Sequence, residues 1–187
     1  MAFCLRLSGA ALTAALLASA AIPASADQVF NRIAVFAVNE NLPADMDAMS
    51  ATSAEIITAT EDGNMLVYSD SPLGAVGFID IADPRAPKAA GTIKLEGEPT
   101  SVAVSGAKAF VGVNTSESFT SPSGFLGVID IASKTLEAQC DLGGQPDSVA
   151  VSPDGSIVAV AIENERDEDL NDGEIPQMPA GDLVIIS

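Results

Sequence analysis

Histidine is absent from this 187-residue chain, and so is tryptophan. Without imidazole there is no Ser-His-Asp or Cys-His machinery of the usual kind, and a transition-metal site would lack its commonest nitrogen ligand. No phosphate-cradling P-loop and no Gly-x-Ser-x-Gly elbow occur. Aromatic residues make up only 4%, so a core has to come from Val, Ile, Leu and Ala. Basic residues are scarce: eight Lys and Arg stand against 26 Asp and Glu, a net charge of -18. Such a balance argues against nucleic acid and anionic membrane surfaces as partners, and it suits solubility and cation binding. After residue 26 no stretch keeps a helical period. Hydrophobic residues nevertheless reach 48%, enough for a packed core and too many for global disorder.

The first 26 residues read as a secretory signal peptide. One positive charge, Arg6, precedes an apolar run from Leu7 to Ala21; Pro23 breaks it, and Ala24-Ser25-Ala26 fits a small-x-small cleavage site. The run is short for a spanning helix. Its removal takes away Arg6 and no acid, leaving seven basic and 26 acidic side chains, net -19. The expected location is secreted or periplasmic, with no membrane association after cleavage. Cys140 is then the sole cysteine, so an internal disulfide is impossible even though export would permit one. Cys140 is expected to pack within a strand.

What organises the rest is repetition. Glu98-Pro99-Thr100-Ser101-Val102-Ala103-Val104-Ser105 returns as Gln145-Pro146-Asp147-Ser148-Val149-Ala150-Val151-Ser152, a step of 47. Gly77-Phe78-Ile79-Asp80-Ile81-Ala82 returns as Gly127-Val128-Ile129-Asp130-Ile131-Ala132 after 50, and Gly124 to Asp130 returns at Gly181 to Ser187 after 57. The growing step places a lengthening loop between copies. Each copy reads as short strands with turns between them, such as Glu61-Asp62-Gly63-Asn64 and Ser152-Pro153-Asp154-Gly155, where Gly accepts a positive φ. Four short strands at a period of 47–50 is the arithmetic of β-propeller blades. A β-sandwich also has short strands, but it needs no sequence copies at a fixed step. The expected fold is all-β: a partial propeller of about three four-stranded blades from near Ser53, Ser101 and Ser148, the last incomplete, with a strand over 29–38 ahead of them. Propellers usually need four or more blades to close. The chain is therefore expected to be a fragment completed by further blades after Ser187, or to close through oligomers.

Alternate connections of an up-and-down sheet share a side. One rim should thus collect the loops Ser69–Gly74, Asn114–Gly124 and Glu163–Gly181 with the inter-blade turns, bringing together Asp70, Glu98, Asn114, Glu117, Asp147, Glu163 and Glu165. The acidic run Glu163 to Glu174 is the densest set of oxygen donors. Hard cations take six to eight oxygens, which makes Glu163, Glu165, Asp167, Asp169, Asn171 and Asp172 candidate Ca²⁺ ligands. The run is no EF-hand, because Gly173 comes one residue late and Met178 stands where the terminal Glu belongs. A solvated acidic loop explains the same residues. Asn114-Thr115-Ser116 matches a glycosylation sequon, a short pattern common by chance.

The run Thr60 to Tyr68, the Phe78 to Ile81 strand and the Glu163 to Gly181 segment resemble the N-terminal region of large secreted bacterial proteins labelled as phytase-type esterase-like proteins or alkaline phosphatases, akin to choice-of-anchor and LVIVD-type propellers with WD40/YVTN-like repeats. The resemblance implies phosphate-ester hydrolysis, with Ca²⁺ as its assisting ion, in the parent protein and an inactive fragment; it carries no catalytic residue over to a position here. The alternative is a non-catalytic extracellular module that uses a propeller face to contact protein or carbohydrate.

Overall fold

A computed structural model describes residues 30–187; the expected signal peptide lies outside the described residues. Eleven strands follow one another: β1 (Ile57–Ala59), β2 (Met65–Asp70), β3 (Ala75–Asp80), β4 (Lys88–Lys94), β5 (Glu98–Ser105), β6 (Lys108–Asn114), β7 (Gly124–Asp130), β8 (Thr135–Asp141), β9 (Pro146–Val151), β10 (Val158–Ile162) and β11 (Asp182–Ile186). Within each sheet every strand pairs antiparallel with the next, in the orders β1-β2-β3-β4, β5-β6-β7-β8 and β9-β10-β11. The fold is all-β, a partial propeller of three successive blades whose third has three strands.

Local chemistry explains the up-and-down path. The β1–β2 and β9–β10 hairpins share one device: Thr60 and Ser152 donate hydroxyl hydrogen bonds to Asp62 and Asp154 and accept the backbone N–H of Met65 and Ile157. Gly63 and Gly155 follow at φ 70 and 71, a region L side chains rarely adopt. Antiparallel neighbours need only such tight turns, so the whole sheet forms from local pairings.

The sheets stack in sequence. Val67, Val76 and Phe78 of the first sheet and Val102, Ala109, Val111, Val113 and Ile129 of the second form one buried cluster. Leu126 of the second sheet and Val149, Val158, Val160 and Ile162 of the third form another. The second sheet is thus covered on both faces, as its doubly apolar strands require. Full burial of each such side chain is worth about 1.5–3 kcal/mol. The first strands β1, β5 and β9 lie innermost, with β5 against both of the others.

The copies seen in the sequence occupy equal positions. Pro99 and Pro146, 47 residues apart, are both fully buried, and each carbonyl accepts a hydroxyl from the preceding sheet: Ser71 Oγ to Pro99 O at 2.7 Å, Thr100 Oγ1 to Pro146 O at 2.7 Å. The backbone N–H of Val149 likewise donates to Ser101 Oγ at 3.1 Å across the sheet boundary.

Two expectations are corrected. Residues 30–37 form no strand, and Val38–Asn41 is a 3₁₀ turn. The alternation of the run is real: Ala34, Phe36 and Val38 are half-buried while Ile33, Val35 and Ala37 are exposed. Its inner side lies with Leu66, Ile79 and Ile81 along the first sheet's front face, but no strand pairs with its backbone. Cys140 does not pack. It is exposed on β8, opposite Leu126.

Residues 39–53 are fixed to the first sheet by two polar side chains. Where β3 and β4 slip register between Gly77 and Ile79, Asn41 fills the gap: its amide donates to Phe78 O, Gly91 O and Tyr68 Oη, each at 3.1 Å, and its Oδ1 accepts Gly91 N–H at 2.8 Å. Asp70, also buried, accepts the Thr52 hydroxyl, the Ser53 N–H at 2.9 Å and the Leu73 N–H at 3.2 Å.

Candidate functional site

The long connections gather at one end of the sheets. The β6–β7 loop (115–123) and the β10–β11 loop (163–181) both emerge there, while the opposite end carries the β1–β2, β5–β6 and β9–β10 hairpins. Phe119, 48% exposed, lines an open depression of about 530 Å³ with Glu163, Glu165, Arg166, Asp167, Glu168 and Asp169.

The structure sorts the expected rim residues by role. Asp70 is fully buried and holds residues 52–53 and the β2–β3 turn, so it faces no ligand. Glu98 and Asn114 are cross-strand partners at the ends of β5 and β6, with Asn114 Oδ1 taking the Ser116 N–H at 2.9 Å. Glu117 and Asp147 are exposed. Glu163 donates its backbone N–H to Gln145 O at 2.9 Å, and Glu165 Oε2 accepts from Gln145 Nε2 at 2.8 Å, which ties the long loop to the turn before β9.

Of the six candidate Ca²⁺ ligands, Glu163, Glu165, Asp167 and Asp169 share the depression, whereas Asn171 and Asp172 form the corner of a 3₁₀ turn at φ 51 and 55. Among the described residues no three acidic or cysteine side chains stand together as a group that could hold a metal ion. The loop has its own frame. Arg166 donates to Gly173 O at 2.9 Å and pairs with Glu168 at 3.2 Å, placing a cation inside the acidic run. Gln177 accepts the Asp167 N–H at 2.8 Å and donates to Asp167 O at 2.9 Å. Asn164 accepts the Gln145 N–H at 3.2 Å and donates to Ala180 O at 2.7 Å. Sequence reasoning did not single out Asn164 and Gln177, since an amide in a polar loop has no spacing that marks it.

Carboxylates with perturbed acidity lie at the other end, in turns. Asp154 is held at about 2 by the Ser152 hydroxyl and then by Ser156. Asp62 is lowered chiefly by the Thr60 hydroxyl, and Asp130 falls well below the usual range through the Ser133 N–H and then Lys108. These shifts come from turn hydrogen bonds to exposed groups and mark no catalytic pair.

Comparison with known proteins agrees with the architecture. A chain of the Kuenenia stuttgartiensis hydrazine synthase superposes with a TM-score of 0.50 at 21% identity, over 58% of this chain and 30% of that one. A luciferin-regenerating enzyme gives a TM-score of 0.49 at 17% identity, over 71% of this chain and 43% of that one. The chain thus spans less than half the length of either structure, and at such identity the likeness to the first concerns the fold alone. No curated protein matches the chain in sequence. Among the described residues no helix is long and apolar enough to cross a membrane. Residues 55–187 match the Choice-of-anchor I domain, a β-rich domain of secreted proteins, and with all three sheets inside that span the chain belongs to this family.

Proposed function

We propose that the chain is a non-catalytic extracellular binding module whose contact surface is the long-loop end of its sheets. The observation that carries this reading is the convergence there of loops 115–123 and 163–181 around the exposed Phe119, held from beneath by Asn164, Gln145 and Gln177. Long loops on a rigid sheet scaffold are where contact residues concentrate. An aromatic side chain beside carboxylates suits a protein with basic side chains, or a carbohydrate whose hydroxyls meet the carboxylates and whose ring lies on Phe119. The secretory layout of residues 1–26 and the family's occurrence in secreted proteins support an extracellular or periplasmic setting.

The test is capture from an envelope extract on the immobilised chain, with Phe119→Ala as the matched control. The reading expects a partner that the parent retains and the variant loses. Equal recovery by both, or none by either, contradicts it. Phosphate-ester hydrolysis stays an implication of family resemblance with no residue to carry it. A phosphomonoester assay with and without Ca²⁺ is expected to give no turnover above background; turnover abolished by Asp167→Asn would reverse that reading.

A further inference from the structure

The end of the sheets opposite the long loops carries a second cavity, which the function proposed above does not use. It is an open cleft of about 500 Å³ between the first and second sheets, walled by the β1–β2, β5–β6 and β7–β8 turns and the residues beside them. Small-ligand sites fall in the range of about 300–1,000 Å³. Met65, Ala107, Ile131 and Ala132 give the cleft an apolar lining, and Ile131 is only 8% exposed.

Its charges are divided by sign. Glu61 and Asp62 stand in the turn between β1 and β2, the inner strands of the first sheet; Lys134 stands in the turn between β7 and β8, the outer strands of the second. At the inner end Glu61 Oε1 accepts the Gly106 N–H at 2.9 Å, which ties the two sheets together and leaves Glu61 Oε2 without a partner among the described residues. Thr60 and Asn64 already donate to Asp62, so Asp62 adds negative charge while Glu61 offers the free oxygen. At the outer end the Lys134 stem crosses to the first sheet: a Cβ on Gly91 would stand 3.9 Å from its Cδ, and its Nζ lies 5.5 Å from the centre of the Phe78 ring. That ammonium takes part in none of the ion pairs among the described residues. Lys134 also sits at φ 54, a region that favours glycine, with its N–H bonded to Asp130 O at 2.8 Å. A side chain persists at such an angle only where its surroundings hold it, and such positions cluster at ligand sites.

We infer that this cleft binds a small apolar zwitterion, of which a dipeptide with aliphatic side chains is the type. Its ammonium meets Glu61 Oε2, its carboxylate meets Lys134 Nζ, and its side chains cover Met65 and Ile131. A fatty acid would set no cation against Glu61 and Asp62, and an aliphatic amine would set no anion against Lys134. Only a ligand with both signs on an apolar body complements both ends.

Backbone amide shifts of the full chain titrated with leucyl-leucine, in about 0.15 M salt to screen the acidic surface, test this. Saturable shifts are expected at Ala107, Ile131 and Lys134. N-acetyl-leucyl-leucine and leucyl-leucinamide each lack one charge and should bind about fivefold more weakly, the upper end for an exposed ion pair. Lys134→Gln should weaken leucyl-leucine to the level of the amide. Glu61→Gln, which keeps an acceptor for Gly106, should weaken it to the level of the acetylated peptide. The blocked peptides probe the same pairings in the parent, without touching the fold. Phe119→Ala should bind as the parent does, so failure of the long-loop reading and failure of this one are read separately. No saturable shift at millimolar leucyl-leucine overturns the inference. So does equal binding of the free and blocked peptides, or a set of shifts that gathers at 115–123 and 163–181 instead.

Discussion

The ring of Tyr68 lies on Gly77, its cross-strand partner: a Cβ at Gly77 would stand 2.1 Å from Tyr68 Cζ. Glycine here makes room for an aromatic ring across the strand, and Asn41 fixes the ring's far end at 3.1 Å. Gly77→Ala should therefore displace the ring and cost about 1–3 kcal/mol, the usual penalty for overfilling a packed site. Tyr68 is the only tyrosine and there is no tryptophan, so its fluorescence in a urea titration reads this site directly. An unchanged midpoint would mean the ring does not lie there.

Asn41→Ala should be as harmful although it removes no apolar contact. It strips the partners from Gly91 N–H, Phe78 O and Gly91 O together. Leaving buried backbone groups unpaired costs about 1–3 kcal/mol each before relaxation or water entry. Asn41→Asp should not rescue, since a carboxylate keeps the acceptor for Gly91 N–H but loses both donors and buries a charge. Thermal melting of the two variants checks this; full stability of either contradicts the account of the bulge.

Burial raises the Tyr68 phenol above its ordinary value. The fold favours the neutral form, so this contribution is complete below about pH 10, the unfolded value, and is lost as pH rises through the raised folded value. Phenolate absorbance should accordingly appear only with loss of sheet structure. Ionisation at the ordinary value in a folded chain would place Tyr68 in water.

At the acid end the sign reverses. Asp62, Asp130 and Asp154 are depressed in the fold, so what they contribute is present above about 3.9, the unfolded value. For Asp154 it is lost as pH falls toward about 2. Asp154→Asn should flatten the decline of the urea midpoint across that window while leaving the neutral-pH slope alone. An unaltered acid limb would show that the Ser152 and Ser156 hydrogen bonds do not hold the carboxylate.

The β10–β11 loop is framed by Gln177 and Arg166. Gln177→Ala should speed proteolytic cutting within 163–181 with little change in global melting, because few buried apolar groups depend on the loop. A chelator should leave the melting temperature of the parent where it is. A fall of several degrees on chelation, restored by Ca²⁺, would show instead that Glu163, Glu165, Asp167 and Asp169 close around an ion.

The repeats made most of the fold legible. A valine at a fixed step in a first strand must meet the same kind of neighbour each time, and Val102 and Val149 do. Alternation alone misled at 29–38: the run has a strand's pattern and one covered side, yet strand identity needs a backbone partner, which periodicity cannot supply. Cys140 misled for a related reason: a strand residue is covered only where another element stands over its face, which a strand-like pattern does not report. At the rim, chain order located the loops, and four of the six acidic-run residues line one open depression, although among the described residues no three acidic side chains are grouped closely enough to hold an ion. Asn171 and Asp172 left the group because positive φ turns the chain away there. Asn41, Asn164 and Gln177 were invisible because a single amide bridging two segments leaves no periodic trace.

Methyl-to-methyl nuclear Overhauser contacts test the stacking most directly. The account predicts contacts from Val67 to the second sheet's Val102–Val111–Val113 group and from Leu126 to the third sheet's Val149–Val160–Ile162 group, with none between Val67 and Val160. Contacts joining the first and third sheets face to face within one chain, with the second left to one side, would contradict it.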